Sequence, residues 1–249
     1  QLIMIDAAKR ASAKRITAVC PYYGYSRQDR KASGREPITA KLVADMLQTA
    51  GADRVVSVDL HSGQVQGFFD VPFDHLIAMP VLLDELRLHA GQDVVVVAPD
   101  AGRVKVAERY SQQLHADIAL VYKRRPRGLA HAVEALQVVG DVEGRHCVLI
   151  DDMIDTAGTM CAAAELLAER GASEIWAMAT HGVLSDPALE RLEKSPLSRV
   201  VVTNTLPLAR DRFIDKLEVV SVAKLIADTI DAVFEDTSVS EIFGGDNLA

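Results

Sequence analysis

The chain lacks a hydrophobic run long enough to cross a membrane. Its longest purely aliphatic stretch runs from Val94 to Ala98 and ends at Pro99, whereas a membrane-spanning helix needs about 20 apolar residues. The chain also lacks the charged, apolar and small-residue succession that marks a signal peptide. We therefore expect a soluble protein with no membrane partner.

Positive charge and cysteine are both scarce. The chain has 27 lysines and arginines against 35 acidic residues, with a pI near 5.4, so the broad basic surface that nucleic acids require is not expected. The three cysteines, Cys20, Cys147 and Cys161, lie in apolar strand or helix patterns without a regular spacing. This predicts reduced, buried thiols rather than disulfides or a metal site, and hence a cytoplasmic protein.

Short apolar strands alternate with amphipathic helices along the chain, which predicts an α/β fold with mostly parallel sheets flanked by helices. The strand patterns are 16–19, 55–58, 94–98, 118–121, 147–150, 175–179, 200–202 and 219–220. The helix patterns are 39–50, 81–89, 104–114, 159–170, 187–193 and 222–234. Residues 1–14 predict a further amphipathic helix. Because the chain begins inside this pattern, we expect an N-terminal portion to precede it.

An internal repeat predicts two related lobes. Four residue pairs are each 120 positions apart: Thr39 and Thr159, Gly51 and Gly171, Ala52 and Ala172, and His61 and His181. The repeated unit is a helix, a Gly-Ala turn, a strand and a histidine. We expect a first lobe over 1–75 with 228–249 packing back on it, and a second lobe over 76–227. The two lobes are expected to face each other across a cleft, where ligands usually bind.

The segment VLIDDMIDTAGT, residues 148–159, is the most informative part of the sequence. It reads as a buried strand that ends in two acids, Asp151 and Asp152, followed by a helix start with small and hydroxyl residues. Two carboxylates at a strand end can accept hydrogen bonds from a sugar diol. Backbone N–H groups at a helix start can bind a phosphate. The pattern predicts a site for a phosphorylated ribose and resembles the phosphoribosyl diphosphate motif of type I phosphoribosyltransferases.

Four other polar segments follow predicted strands. Residues 22–31 place three tyrosines beside cations and predict a loop that contacts a base and a polyphosphate, with a solvated turn as the alternative. His61 and Asp100 each follow a strand, and a carboxylate in such a turn can hold Mg²⁺ beside phosphates. Residues 123–127 contain four cations next to a stretch without periodicity, which could close over a transferring phosphoryl group.

Together these segments closely resemble the bacterial class I ribose-phosphate diphosphokinase family over nearly the whole chain. The resemblance is carried by PYYGYSRQDRK, REPITAKLVADML, DLHSGQVQGFF, PDAGR, KRRPR, DDMIDTAGT, ATHGVLSD and VVTNTLP. It implies two tandem phosphoribosyltransferase-like lobes, the substrates ATP and ribose 5-phosphate, and Mg²⁺ as cofactor. It also implies assembly into a homo-oligomeric ring of dimers, on the pattern of a hexamer, with ATP sites shared between subunits.

The resemblance also assigns roles to residues of this chain. The ATP-binding residues are Arg27, Gln28, Arg30 and Lys31. His61 and Asp100 hold the metal, and Lys123 and Arg125 are the catalytic residues of a flexible loop. Ribose 5-phosphate is bound by Asp151, Asp152, Asp155, Thr156, Ala157, Gly158 and Thr159.

The sequence departs from the family pattern at three places. Arg103 stands where the family usually has a second glycine, and residues 128–134 replace a shorter loop segment. The family's N-terminal segment, whose acidic and aromatic residues reach the adenine of a neighbouring subunit, is not in this chain.

The resemblance implies diphosphoryl transfer from ATP to the anomeric hydroxyl of ribose 5-phosphate, a reaction that depends on positioning and charge neutralisation. Three alternatives stay open. A salvage phosphoribosyltransferase would share residues 151–159 but needs neither the loop 22–31 nor a second lobe. A noncatalytic regulatory homologue would keep the fold without the chemistry. The third alternative is a pure nucleotide-binding module.

Overall fold

A computed structural model describes residues 1–91, 93–124, 135–209 and 212–243. The chain divides into two compact units. The first unit comprises Gln1–Ala78 together with the chain from Val222 onward, and the second is the continuous segment Met79–Ser221.

The helices and strands alternate along the chain. Residues 1–78 form α1 (Leu2–Arg10), β1 (Thr17–Cys20), α2 (Thr39–Ala50), β2 (Arg54–Val58), a 3-10 helix (Gly63–Phe68) and β3 (Phe73–Leu76). The second unit begins with α3 (Met79–His89), β4 (Val94–Ala98), a 3-10 turn (Ala101–Arg103), α4 (Val104–Leu114), β5 (Asp117–Arg124) and β6 (Ala135–Val139). It continues with β7 (His146–Ile154), α5 (Gly158–Glu169), β8 (Glu174–Gly182), α6 (Ala188–Lys194), β9 (Arg199–Thr203) and β10 (Leu217–Val220). The described chain then ends with α7 (Ala223–Phe234) and a 3-10 helix (Val239–Phe243).

The first unit contains a parallel sheet in the order β1-β2-β3. Successive side chains of a strand point to opposite faces, and β2 is buried on both. Val55 packs in a core with Ile5 of α1 and Leu47 of α2. Val56 packs in a second core with Leu225 of α7. This double burial explains why β2 reads as an uninterrupted apolar run.

The second unit contains a seven-stranded sheet in the order β10-β9-β8-β7-β4-β5-β6. All neighbouring strands are parallel except β5 and β6, which pair antiparallel. β4 and β7 lie in the middle of this sheet, and their valine-rich and leucine-rich segments are fully buried. Parallel strands bring their carboxyl ends to the same edge, and loops at that edge hold the ligands of open α/β sheets.

The predicted α/β architecture is confirmed, and each predicted strand and helix is present within a few residues of its expected bounds. Three differences concern strands. The predicted strand patterns include neither β3 nor β6, and β7 continues to Ile154 rather than ending at Ile150. The extension occurs because β8 pairs with β7 as far as Ile154, whereas the pairing with β4 reaches only Leu149.

The predicted repeat has a matching local structure in both units. Gly51 ends α2 with φ 121°, and Gly171 follows α5 with φ 82°. In each unit the next residue, Ala52 or Ala172, donates its N–H to a leucine carbonyl of the preceding helix at 3.1 Å. The final member of the repeat differs: His61 lies in a loop after β2, whereas His181 lies inside the longer β8 and is 1% exposed.

Two further expectations concern the cysteines and membrane-spanning helices. The three cysteines are all free and buried. In the part of the chain that the structure describes, no helix has both the length and the apolar character needed to span a bilayer.

Candidate functional site

The acid pair Asp151 and Asp152 lies inside β7, beyond the end of its neighbour β4. On the other side the strand remains paired, with Asp151 opposite Ala179 of β8. The two acids are therefore fixed by a strand on one side and reached by the turn after β4 on the other. The expectation that they follow the strand's end is wrong, but they do lie past the end of the central strand β4.

Arg103, from the turn after β4, bridges the two acids. Its Nε lies 2.7 Å from Oδ1 of Asp151, and its Nη2 lies 2.7 Å from Oδ1 of Asp152. The backbone N–H of Asp152 donates to the same Oδ1 of Asp151 at 2.8 Å. The sequence identified Arg103 only as a departure from the family pattern, and it gave no signal that the guanidinium contacts these acids.

Burial raises the pKa of Asp151 to about 8. The adjacent Asp152 acts in the same direction, because two neighbouring carboxyl groups resist ionising together, and Arg103 opposes both effects. A strongly perturbed carboxyl at the ligand-binding edge of a sheet is a frequent mark of a functional site.

The loop after β7 connects the acid pair to the start of α5. Ala157, which precedes the helix, has the left-handed φ of 59°, and its carbonyl accepts the N–H of Cys161 at 2.9 Å. A left-handed conformation costs an alanine about 1–2 kcal/mol, and such strain is often found at functional sites. Gly158 opens the helix and Thr159 lies in its first turn. Residues 155–159 thus form a turn and a helix start, as a phosphate site requires.

Arg191 of α6 supports this loop, a contact that the sequence did not predict. Its Nη1 donates to the carbonyl of Thr156 at 3.0 Å. A side chain at Gly158 would approach the same guanidinium to 3.5 Å. The loop therefore has a cation beside it in addition to its own N–H groups.

Asp100 lies in the turn between β4 and α4. Its Oδ1 accepts the N–H of Gly102 at 2.8 Å, and the residue is exposed. The turn continues directly into Arg103, so Asp100, Arg103 and the acid pair occupy one edge of the second unit's sheet. The structure therefore brings the predicted metal residue Asp100 into the same region as the predicted ribose residues.

The loop 22–31 of the first unit divides into a buried start and an exposed end. Tyr23 is 2% exposed, contacts Phe69 and Phe73 edge to face, and donates its hydroxyl to the carbonyl of Ala40. Because Tyr23 is buried, its ring belongs to the core of the first unit, and the predicted contact of this loop with a base is left to its other residues. The four residues expected to bind ATP, Arg27, Gln28, Arg30 and Lys31, are all exposed.

His61 lies in the turn after β2, on the same side of the sheet as the loop 22–31. Val58 donates its N–H to the carbonyl of Pro21, which joins the segments that follow β1 and β2. His75 of β3 accepts the N–H of Leu60 at 2.8 Å and supports this turn. His75 was missed at the sequence level because β3 itself was not predicted. His61 and the residues expected to bind ATP thus share the carboxyl edge of the first unit's sheet.

The structure describes only one of the two expected catalytic residues. Lys123 lies in β5, with its backbone paired to Leu136 of β6. Arg125 and the segment 128–134 lie outside the described residues. Among the residues that are described, no group of three or more histidine, cysteine or acidic side chains forms a metal cluster.

A mostly parallel sheet with an acid pair and a phosphate-type helix start at one edge defines a phosphoribosyltransferase-like protein, and family models refine this class. Residues 1–51 match the N-terminal domain of ribose phosphate pyrophosphokinase, and residues 121–244 match the phosphoribosyl synthetase-associated domain. Both models point to the same family.

Individual relatives agree over nearly the whole chain. The chain is 55% identical over 244 residues to the ribose-phosphate pyrophosphokinase of Streptomyces coelicolor, spanning 98% of this chain and 75% of that protein. It is 53% identical to the enzyme of the same name from Clostridium acetobutylicum, spanning 97% and 76%. The crystal structure of phosphoribosylpyrophosphate synthetase from Mycobacterium smegmatis superposes with a TM-score of 0.88 at 53% identity, covering 94% of this chain and 76% of that one. The chain belongs to the ribose-phosphate pyrophosphokinase family.

Proposed function

We propose that this chain transfers the β,γ-diphosphoryl group of ATP to the anomeric hydroxyl of ribose 5-phosphate. The products are 5-phosphoribosyl 1-diphosphate and AMP, and the former supplies nucleotide biosynthesis. Membership of a family of ATP-dependent diphosphotransferases supports the reaction. In this molecule, the observation that most directly supports the reaction is the acid pair of β7, which leads into the strained turn at Ala157.

The proposed reaction is a single in-line displacement. The anomeric oxygen of ribose 5-phosphate forms a bond to the β-phosphorus of ATP while the bond from that phosphorus to the α-phosphate oxygen breaks. The electron pair stays on the departing AMP, and the hydroxyl proton goes to solvent. Phosphoryl transfer of this kind requires little covalent chemistry from the protein, so positioning and electrostatic stabilisation dominate.

Ribose 5-phosphate binding is assigned to the edge of the second unit's sheet. Asp151 and Asp152 accept hydrogen bonds from the ribose hydroxyls, since carboxyl oxygens offer several acceptor sites. The segment 155–159 binds the 5-phosphate through the backbone N–H groups at the start of α5 and the hydroxyls of Thr156 and Thr159. Arg191, whose guanidinium contacts this loop, adds positive charge nearby.

ATP binding and charge neutralisation are assigned to the cationic segments. Arg27, Gln28, Arg30 and Lys31 bind ATP, and their exposure at the sheet edge leaves them accessible. Lys123 and Arg125 neutralise the charge that develops on the diphosphoryl group.

We assign Mg²⁺ binding to Asp100 of the second unit, and the family resemblance assigns the same role to His61 of the first. Magnesium is commonly held by one or two carboxylates together with water and substrate phosphates, and the exposed carboxylate of Asp100, oriented by Gly102, fits that donor set. When bound, the ion would neutralise phosphate oxygens and hold the triphosphate in one conformation.

The direct test is to mix the protein with ATP, Mg²⁺ and ribose 5-phosphate and to separate the products. Equal amounts of AMP and 5-phosphoribosyl 1-diphosphate are expected. Formation of a nucleoside monophosphate from a free base and 5-phosphoribosyl 1-diphosphate would instead indicate a salvage phosphoribosyltransferase. Binding of both substrates without AMP would indicate a noncatalytic homologue.

Lys123→Ala tests the catalytic assignment. Loss of one charge placed at the transferring group is expected to lower turnover on the order of a hundredfold, with substrate affinities little changed. The matched control is Lys224→Ala, which removes an 85% exposed lysine that pairs with Asp228 of its own helix. Turnover that is equal in the two variants would contradict the role of Lys123.

We also propose a homo-oligomeric ring. Analytical ultracentrifugation at micromolar concentration is expected to give a mass near six chains or a multiple of two chains. A sedimenting species with the mass of one chain, stable across the concentration range, would contradict this assembly.

A further inference from the structure

Arg103 is a largely buried cation at the proposed ribose site, and the proposed mechanism assigns it no role. Its side chain is 14% exposed, and the carboxylates of Asp151 and Asp152 are 15% and 8% exposed. A guanidinium that donates to two carboxylates at 2.7 Å makes charge-assisted hydrogen bonds, which are about twice as strong as neutral ones. Low exposure protects these contacts from the screening that weakens surface ion pairs.

The contact also connects two elements that are distant in sequence. The backbone N–H of Arg103 donates to the carbonyl of Asp100, so Arg103 closes the turn that follows β4. Its side chain contacts the acids in β7, and Asp152 lies 49 positions after Arg103 in the sequence. A single residue thus ties the turn after β4 to the two carboxylates.

The acid pair depends on such a cation. Two adjacent, largely buried carboxylates repel each other and favour sharing a proton or turning towards solvent. Arg103 lowers the cost of ionising the pair and keeps both acids from turning away, because the rigid fork of its guanidinium holds one oxygen of each acid. The two carboxyl groups are then held in one orientation, and their remaining oxygens can accept hydrogen bonds from a sugar diol.

We propose that Arg103 is a positioning residue for ribose 5-phosphate: it holds Asp151 and Asp152 as a fixed pair of acceptors for the ribose hydroxyls. This inference rests on the proposed function, because it assumes that the acid pair binds ribose. Arg103 acts through the two acids and does not itself contact the reacting atoms. A glycine at this position could not make either contact.

The test compares Arg103→Gln and Arg103→Lys with wild type, and uses Lys105→Gln as the control. Lys105 is an exposed residue of α4, two positions away. We expect Arg103→Gln to raise the KM for ribose 5-phosphate at least tenfold and to leave the KM for ATP within twofold. Arg103→Lys should give an intermediate rise, since an ammonium lacks the fork that reaches both acids. Lys105→Gln should match wild type.

A second measurement separates positioning from general destabilisation. In the Asp151→Asn background, Arg103→Gln should raise the KM for ribose 5-phosphate by less than threefold, because the acid through which it acts is already lost. Isothermal titration of ribose 5-phosphate into each variant gives the same comparison without turnover. If Arg103→Gln does not fold, the Arg103→Lys variant decides by the same two measurements.

The proposal is overturned if Arg103→Gln leaves the KM for ribose 5-phosphate unchanged, raises both KM values equally, or raises only that for ATP. Full additivity with Asp151→Asn also overturns it. A wild type that binds ribose 5-phosphate but forms no AMP contradicts the proposed reaction alone, and the calorimetric comparison still decides the role of Arg103.

Discussion

Asp151 is expected to make the stability of the protein depend on pH. Burial raises the pKa of its carboxyl from 3.8 to about 8, so between these values the native protein holds a proton that the unfolded chain has released. The unfolded state therefore binds fewer protons in this window, and the free energy of unfolding falls as pH rises. The loss is at most about 1.4 kcal/mol per pH unit and ends above the native pKa.

Urea unfolding of wild type and Asp151→Asn at pH 5.5 and 7.5 checks this prediction. The asparagine cannot titrate, so the free energy of unfolding of the variant should fall less between the two pH values than that of wild type. Asp45→Asn, which changes a half-exposed carboxylate on α2, serves as the control and should follow wild type. Parallel pH profiles for wild type and Asp151→Asn would contradict the raised pKa.

Single residues also mark the limit of what the sequence predicts. The acid pair and the loop 155–159 could be recognised because they are contiguous and follow an apolar run. The contacts of Arg103 with the two acids could not be recognised from the sequence, because they form only when β4 and β7 lie side by side. The burial of Tyr23 could not be predicted for a related reason, since it depends on Phe69 and Phe73, which lie far along the chain.

The helix, Gly-Ala turn and strand unit gives a prediction at the level of elements. Gly51 and Gly171 both adopt positive φ values, and an alanine there costs about 1–2 kcal/mol from backbone strain. The added Cβ would also lie 2.6 Å from Cδ of Lys9 at the first site and 3.3 Å from Cγ of Glu143 at the second. Both neighbours are flexible side chains that can move, so the backbone term should dominate and the two losses should be similar.

Gly51→Ala and Gly171→Ala should each lower the urea midpoint of unfolding, measured by circular dichroism. Gly67→Ala is the matched control, because Gly67 lies in the 3-10 helix without a positive φ, and a Cβ added there would meet no atom of the described residues within 4 Å. Midpoints for the two turn variants equal to that of Gly67→Ala would show that the repeated turn does not require glycine.

Element boundaries were less predictable than element order. β3 escaped prediction because its four residues include Asp74 and His75 and only its last residue is fully buried, so neither an apolar run nor a clear alternation is present. β7 extends past Ile150 because β8 continues to pair with it. In both cases the strand is specified by its neighbour rather than by its own residues, a tertiary effect that a local pattern does not contain.

At the scale of the whole molecule, the second unit holds everything assigned to ribose 5-phosphate. It is one continuous segment, 79–221, with a hydrophobic core whose buried members lie between Val95 and Leu217. The residues 151–159, Arg103 and Arg191 all belong to it. A segment of about 140 residues can bury enough apolar surface to fold on its own.

We therefore predict that the fragment 79–221 folds independently and binds ribose 5-phosphate. It should unfold in one cooperative thermal transition, and saturating ribose 5-phosphate should raise its Tm, because a ligand that binds only the native state stabilises it. The same fragment carrying Asp151→Asn is the control, and its Tm should rise less. Titration with ATP should leave the Tm of either fragment nearly unchanged, since the four residues assigned to ATP lie in the first unit. A fragment that melts without a cooperative transition would contradict the independent folding of this unit. A rise in its Tm on addition of ATP would instead show that the second unit contains nucleotide contacts.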